Sequence, residues 1–497
     1  MPLLRQKSND AYLYWADQVL RRLKGLDPDG APSFAYIEPS TGCNLKCPAC
    51  VTGTAPDMRT RKQASLEDYK VILDSLGDRL IKIDLYNWGE PFLNKNLPIF
   101  TKMASDRSIH TSLSTNFSFP KMEGRIDAVL DAGLNSLKVG LDGASQAVHD
   151  TYRRGANLGL VKANLEYAAR VRDRHNYPIR IYAAFLVFEH SVHELQDVFD
   201  FCESIGVELE INQTPFTSPR AGIHASAAAS ADIRHYWREQ ITSGPLPAKR
   251  CSWLHHAVVV NPNLSVSPCC AVADERDDFA FLERETLGQD IGEILRHDSW
   301  RDARGFFDGK SEEAIKDILL KGAALDDDTP GMGNTAGDDF ICARCPIGTE
   351  AFKYHFISHN LQAMLLAEVA HSPVRDEEDK FALFYKVMIC TVISEFSARP
   401  ASETRLAELE AALVLLRALT DPAANPQTTA QSFLTLAAGT GSDAIKQVAK
   451  LLYTPVASIA VNAPADRRGS SPAVRAQVAQ IMAQHHAAQA PVLRSVS

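Results

Sequence analysis

Cys43, Cys47 and Cys50 stand in a Cys-x3-Cys-x2-Cys run, in the segment Glu38-Pro39-Ser40-Thr41-Gly42-Cys43-Asn44-Leu45-Lys46-Cys47-Pro48-Ala49-Cys50. Three thiolates this close can hold three corners of a cubane iron-sulfur cluster and leave the fourth iron open. An open iron can bind a small chelating molecule and pass it an electron, so the spacing points to catalysis rather than to electron transfer alone. Zinc is the competing reading, but structural zinc sites want four ligands arranged as two pairs, and no His or Cys follows close behind to complete one. A disulfide framework needs an oxidising compartment. Met1 to Arg22 is rich in charge and lacks the continuous apolar stretch of a secretory signal, so a reducing, cytoplasmic setting is expected.

Such a loop needs elements to carry it. From Phe34 to about Gln213 the chain alternates strand-like and helix-like patterns. The strand candidates are Phe34 to Ile37, Leu80 to Tyr86, His110 to Ser114, Ser136 to Leu141, Ile179 to Phe188 and Val207 to Asn212. Helical periodicity fills the intervals at Leu66 to Leu76, Leu97 to Ser105, Arg125 to Ala132, Leu158 to Arg174 and Val192 to Ile205. The first of these is entered through Ser65 with Asp68 three residues on, a near capping box. Six strands alternating with helices imply a parallel sheet of βα units that can curl into a full or partial barrel, with its active site at the C-terminal strand ends. The cysteine run follows the first strand directly, which puts it at that end.

An amphipathic helix around Asp10 to Leu23 precedes this region. After it, from Arg250 to about Gly348, come Cys251, a hairpin-like Ala257 to Ser267, Cys269-Cys270, a helical Ile291 to Phe307 and Cys342-Ala343-Arg344-Cys345. Beyond Ser372 the chain is rich in Ala and Leu with helical periodicity, as in Glu403 to Leu419, and an unstructured end is expected after Ala463. At 497 residues two or three domains are expected. The net charge of −9 without a basic run argues against nucleic acid as a partner. The longest apolar stretch, Phe381 to Ile393, contains Lys386 and is too short to span a bilayer, so it reads as a buried helix.

Three further motifs fall at expected strand tips. Gly89-Glu90-Pro91 follows the second strand, Ser114-Thr115-Asn116 ends the third, and Leu141-Asp142-Gly143 ends the fourth, followed by Tyr152-Arg153-Arg154-Gly155. With the cysteine run, these resemble the radical S-adenosylmethionine superfamily. The resemblance implies an α/β fold whose core is a partial (β/α)6 barrel. It implies a [4Fe-4S] cluster on Cys43, Cys47 and Cys50, and S-adenosyl-L-methionine held by Gly89, Glu90 and Pro91 and by Ser114 and Asn116. Trp88 stands where the family has the first Gly of its Gly-Gly-Glu-Pro loop, so the match there is partial. Asp142 and Arg153 read as ordinary strand-to-helix turn residues rather than as direct ligands.

The later cysteines resemble the twitch and SPASM auxiliary-cluster domains of the same superfamily. That resemblance makes Cys251, Cys269, Cys342 and Cys345 the ligands of a second, fully ligated [4Fe-4S] cluster, with Cys270 the alternative to Cys269; zinc would also accept four such thiolates. Two departures stand out. Leu264 replaces the usual Gly five residues before the second cysteine, and no further cysteines follow soon after Cys345, so one auxiliary cluster is expected rather than two.

The implied organisation is an N-terminal helix over 1–33, a radical core over 34–245, an auxiliary domain over 246–350 and a helical region over 351–497. The implied activity is reductive cleavage of S-adenosylmethionine, then hydrogen abstraction from a small polar or carbohydrate-type substrate. A reductant such as flavodoxin or ferredoxin would supply the electron, and no membrane partner is expected. A peptide-modifying maturase and a non-catalytic metal-binding scaffold are the alternatives. Glu189, His190 and Glu210 lie near strand ends, and none is assigned as catalytic.

Overall fold

The computed structural model describes residues 2–212, 250–323, 342, 361, 364–365, 368, 377–397, 402–419, 426–440, 445–446 and 469–489. The chain opens with helix α1 (Pro2–Leu23) and then alternates strand and helix. The order is β1 (Phe34–Ile37), α2 (Val51–Thr54), α3 (Leu66–Leu76), β2 (Lys82–Asp84), α4 (Leu97–Ser105), β3 (His110–Thr115) and α5 (Glu123–Asp131). It continues through β4 (Ser136–Gly140), α6 (Gln146–Tyr152), α7 (Leu158–His175), β5 (Arg180–Leu186), α8 (Leu195–Ser204) and β6 (Glu208–Asn212). The expected strands are all present, with β2 reduced to three residues because the chain turns away after Asp84.

The side-chain alternation of these strands sets the architecture. Ala35, Ile37, Ile83, Leu113, Leu137, Val139, Ile181, Ala183 and Leu209 face one way, into a core shared with helices α3, α4, α5, α7 and α8. The residues between them face the other way, and many are polar: Tyr36, Asp84, Ser112, Lys138, Tyr182 and Glu210. Neighbouring strands β1 to β6 are all parallel, and their registers run continuously from Tyr36↔Asp84 through Ser114↔Lys138 to Ala184↔Glu210. This is the partial barrel, with a hydrophobic outer layer under helices and a polar lumen.

Caps mark where the helices begin. Ser65 accepts from Asp68 N at 3.1 Å at the start of α3, as the sequence predicts. Asn157 accepts from Leu160 N at 3.1 Å at the start of α7, which ends at Asn176 in the left-handed conformation.

The second cysteine region does not form a sheet of its own. After α9 (Trp253–His256), strand β7 (Ala257–Val260) pairs parallel with β1, and β8 (Ser265–Ser267) and β9 (Ala280–Phe281) follow antiparallel. The result is one nine-stranded sheet in the order β6-β5-β4-β3-β2-β1-β7-β8-β9. The expected hairpin is therefore real, but it extends the barrel sheet past β1. Its tight turn places Leu264 at φ 69°, the left-handed conformation that glycine adopts without strain. The Leu264 side chain is buried in the main core, and that burial offsets a strain of about 1–2 kcal/mol. Helices α10 (Leu287–Glu293), α11 (Asp298–Phe307) and α12 (Glu312–Ala323) complete this part.

Helices α13 (Glu377–Ser397), α14 (Glu403–Ala418) and α15 (Pro426–Thr440) pack with α1 in a second core beneath the N-terminal ends of the strands. Trp15 is fully buried there and meets Phe34 of β1 edge-on at 5.4 Å. The apolar stretch around Lys386 is a buried helix, as expected, and the Lys386 ammonium lies 5.6 Å over the Tyr12 ring. No helix of the described residues is long and apolar enough to cross a membrane.

The end of the chain departs from expectation. Instead of an unstructured tail throughout, α16 (Pro472–Gln489) is helical and inserts Val478 and Ile481 into the main core. Just before it, Ser470 Oγ accepts from Leu209 N of the outermost strand β6 at 2.9 Å. The tail thus covers an open sheet edge, which a sequence periodicity cannot reveal.

Trp15→Ala should open a cavity where the helical layer meets β1 and cost about 3–5 kcal/mol. Urea unfolding of the full chain, followed by circular dichroism, measures it; a change within about 0.5 kcal/mol would show that the layer is not structurally coupled to the barrel.

Candidate active site

The cysteine loop leaves β1 at Glu38 and is closed by short-range backbone bonds. Cys50 N donates to Cys47 O at 3.2 Å, and Gly53 N donates to Cys50 O at 3.0 Å. Gly53 is required for this turn, because a Cβ there would sit 2.5 Å from Cys47 O. Cys47 is buried, Cys43 and Cys50 are half-buried, and all three pack in one apolar cluster with Leu45, Ala49, Tyr152, Ala156 and Phe188. Burial pushes the Cys43 thiol up to about 11 and the Cys47 thiol up to about 12. Both therefore need a cation beside them to ionise, and metal binding would release their protons.

The loop after β2 lies directly on the cysteine loop. Glu90 N donates to Gly42 O at 2.8 Å, and a Cβ on Gly89 would fall 1.8 Å from Ser40 O, so only glycine fits. Glu90 is buried with both carboxylate oxygens engaged. Thr115 Oγ1 donates to Oε1 at 2.7 Å, Phe92 N donates to the same atom at 3.0 Å, and Asn116 N donates to Oε2 at 2.9 Å. Burial raises the carboxyl to about 6 against these bonds. The Glu90 side chain thus stitches the loop to the tip of β3, and a ligand's ammonium would be met by the loop's backbone. Pro91 starts a short 3-10 turn.

Asn116 continues the chain of contacts, with Nδ2 donating to Asn44 Oδ1 at 2.8 Å and lying 3.7 Å from Cys43 Sγ. Ser114 is half-buried on the lumen side of β3, opposite Lys138 of β4. Residues from three strand tips therefore converge: the cysteine run, Gly89 to Pro91, and Asn116.

Sequence reasoning passed over several neighbours. Glu38, the first residue after β1, is buried, and its Oε1 accepts from both Trp88 N and Gly89 N at 2.7 Å. Its Oε2 has no partner, and burial raises its carboxyl to about 7 despite the two amides and Arg59. Arg153 was read as an ordinary turn residue, yet its Nε donates to the fully buried Asp142 Oδ2 at 2.6 Å. Asp142 Oδ1 accepts from Leu186 N at 2.7 Å, tying the tips of β4 and β5 together. The Arg153 guanidinium fills the space over Gly140, where a Cβ would lie 2.5 Å from Nη2. Burial opposes its charge, but Asp142 and Cys47 more than restore it. A permanent cation thus stands beside the cysteines. Past it, Tyr152 packs on Phe188 at 4.8 Å and Phe188 on His190 at 5.3 Å; Glu189 is exposed.

Trp88, the departure from the family loop, reaches away from the cysteines. Its Nε1 donates to Val272 O at 3.0 Å, and Arg59 Nη2 donates to the same carbonyl at 3.0 Å. Val272 N in turn donates to Cys269 O at 3.3 Å, so the indole ties the first cysteine region to the second. Cys251 is buried near Arg22, Cys269 and Cys270 are half-buried, and Cys342 is half-buried at the edge of the main core. Cys270 stands near Tyr36 and Tyr86 in the lumen, where burial first, then Asp84 and in smaller part Cys270, raise both phenols. Cys345 lies outside the described residues. Cys202 and Cys390 are buried in apolar cores, and His255-His256 is deeply buried.

Among the described residues no three His, Cys, Asp or Glu side chains converge on one metal-ion position. A cubane carries its cysteine ligands on separate irons. The three-sulfur donor set, the apolar wall of Tyr152 and Phe188 and the nearby Arg153 charge suit an anionic cluster with one iron left for a ligand.

Two outcomes follow from this geometry. Gly89→Ala must push the two loops apart, so S-adenosylmethionine binding by equilibrium dialysis should weaken roughly tenfold or more, about 1.4 kcal/mol; unchanged binding would refute the close contact. Glu38 has a folded-state value near 7 against 4.5 for an ordinary carboxyl, so the folded state holds the proton more tightly. Stability should therefore fall as pH rises from about 4.5 through 7. Glu38→Gln keeps the acceptor for the two amides without the titration. The melting temperature of metal-free wild type should drop below that of Glu38→Gln as pH rises across this window, and parallel profiles would contradict the assignment.

Residues 37–202 match the family model described as the Radical SAM superfamily. A probable GTP 3′,8-cyclase of Methanococcus maripaludis is 31% identical over 172 residues, covering 34% of this chain and 54% of the relative. The PqqA peptide cyclase of Bradyrhizobium diazoefficiens is 27% identical over 169 residues, covering 34% of this chain and 43% of the relative. The chain thus spans about half the length of the curated relatives it matches. Among solved structures, BtrN in complex with AdoMet and 2-DOIA has a TM-score of 0.33 at 16% identity, covering 57% of this chain and 92% of that one. SuiB of Streptococcus suis bound to the precursor peptide SuiA has a TM-score of 0.43 at 14% identity, covering 57% and 68%. Residues 37–202, which carry the cysteine run and the Gly89-Glu90-Pro91 loop at neighbouring strand tips, form a radical SAM domain.

Proposed function

We propose that this chain is a radical S-adenosylmethionine oxidoreductase in which Cys43, Cys47 and Cys50 hold the catalytic [4Fe-4S] cluster. The Gly89-Glu90-Pro91 loop, Ser114 and Asn116 hold S-adenosylmethionine beside it. The observation that carries this reading is the backbone contact of the two loops, with Glu90 N on Gly42 O at 2.8 Å and no room for a side chain at residue 89. When bound, the cluster and S-adenosylmethionine supply a 5′-deoxyadenosyl radical that takes a hydrogen atom from an unactivated C–H. The chain's own residues aim and shield it: Glu90 locks the loop to β3, Arg153 offsets negative charge, and Tyr152 with Phe188 keeps water from the cysteines.

Cys251, Cys269, Cys342 and Cys345 form the auxiliary cluster in this reading, a place for the electron left on the substrate to go. A flavodoxin or ferredoxin supplies the initiating electron, and the protein works in the cytoplasm. The substrate is a small polar or carbohydrate-type molecule, which the polar lumen supports. A peptide substrate is the second reading, favoured by the similarity to a PqqA peptide cyclase.

Anaerobic reconstitution tests the reading. Wild type should take up about eight irons per chain and release 5′-deoxyadenosine on reduction, and Cys47→Ala should lose about four irons and fall to background release. Wild-type behaviour of Cys47→Ala would refute the catalytic assignment, and absence of 5′-deoxyadenosine from wild type would favour a metal-binding scaffold.

A further inference from the structure

Among the described lumen-facing residues of β2, β4, β5 and β6, three cations are matched by three carboxylates. Lys82 Nζ lies 2.6 Å from Asp84 Oδ2, Arg180 Nη2 lies 3.0 Å from Glu208 Oε2, and Lys138 Nζ lies 3.0 Å from Glu210 Oε1. The third pair is the one placed for a ligand. Glu210 shares its register row with Ala184 and Gly140, the residue over which the Arg153 guanidinium sits. Ala184 presents only a methyl group at that level, and the Arg153 guanidinium occupies the space over Gly140. Lys138 and Glu210 are each 28% exposed although their strands lie under helices, so both open into the lumen. A pair this exposed is worth only about 0–1 kcal/mol to folding. Fold stability is therefore a poor reason for putting two opposite charges there.

We infer that Lys138 and Glu210 are the specificity pair of the lumen, gripping a phosphate-free, hydroxyl- and amine-bearing small molecule; this rests on the radical reading above. An ammonium carries three donors and a carboxylate about four acceptor positions, so a hydroxyl or amine of the substrate can join the pair without breaking it. Asn212 Nδ2 donates to Glu210 Oε1 at 3.0 Å and holds the carboxylate in place for that contact. The Tyr182 ring lies under both cations, with Arg180 at 4.3 Å and Lys138 at 5.6 Å, and gives the pocket a flat wall. Among the described lumen-facing residues of β2, β4, β5 and β6 each cation already has its carboxylate, so a triphosphate would have to displace one to gain a cation.

The test uses the full chain with both clusters reconstituted and S-adenosylmethionine bound, titrated by calorimetry with glucosamine and with GTP as probes. Saturable glucosamine binding is expected, at least tenfold weaker in Glu210→Gln and in Lys138→Met and partly restored in Lys138→Arg, with no saturable binding of GTP to the lumen. Tighter binding of GTP, no binding of glucosamine, or equal glucosamine binding in wild type and both variants would overturn the assignment. Release of 5′-deoxyadenosine by the same wild-type sample separates the failures: if it is formed while glucosamine fails to bind, the lumen assignment falls and the radical reading stands. If none is formed, the radical reading itself fails.

Discussion

The site depends on one steric constraint: the loop after β1 and the loop after β2 must touch backbone to backbone. Parallel pairing of β1 with β2 brings their tips side by side, and the Ser40 carbonyl then occupies the space that a Cβ on residue 89 would need. Glycine at that position lets Glu90 N reach Gly42 O, which in turn lets the Glu90 carboxylate reach Thr115 and Asn116 on β3. Three strand tips are thereby joined by these bonds. Trp88 is tolerated one residue earlier because its side chain leaves in the opposite direction, toward Val272.

Around that contact the protein tolerates electrostatic costs that are rare elsewhere. The Glu38 and Glu90 carboxyls and the Cys43 and Cys47 thiols are all raised by burial, and one oxygen of Glu38 has no partner. Such terms weaken a fold taken alone and cluster where function requires them. Arg153 is the counterweight, held charged by Asp142, and Asp142 is itself fixed by the backbone of β5.

The remainder of the chain holds this end still from below and from the side. Helix α1 and the helices after residue 377 pack under the strand starts through Trp15 and Phe34, away from the chemistry. Helix α16 covers the β6 edge. The region with the later cysteines reaches the site through shared sheet and hydrogen bonds, since β7 pairs with β1 and the Val272 carbonyl accepts from both Trp88 and Arg59. A change in either cysteine region would be felt in the other along these contacts.

Sequence spacing alone determined the parts whose information is local. The cysteine run, the Gly89-Glu90-Pro91 turn, the Ser65 cap and the period-two strands are written within a few residues of chain, and they identify a βα barrel with chemistry at its strand tips. Tertiary structure decided what depends on register and crossing. Arg153 looked like a turn residue because its partner Asp142 and its neighbour Cys47 are recognised only once β1 and β4 are set in one sheet. Glu38 stands out only once the loop after β2 has folded over it, since both amides it accepts from lie some fifty residues on. The hairpin after Cys251 was legible, but its pairing with β1 was not, because no local pattern records which strand will be a neighbour. Leu264 shows the same limit in reverse: its left-handed backbone would have favoured glycine, and only the buried core around it explains why leucine stands there.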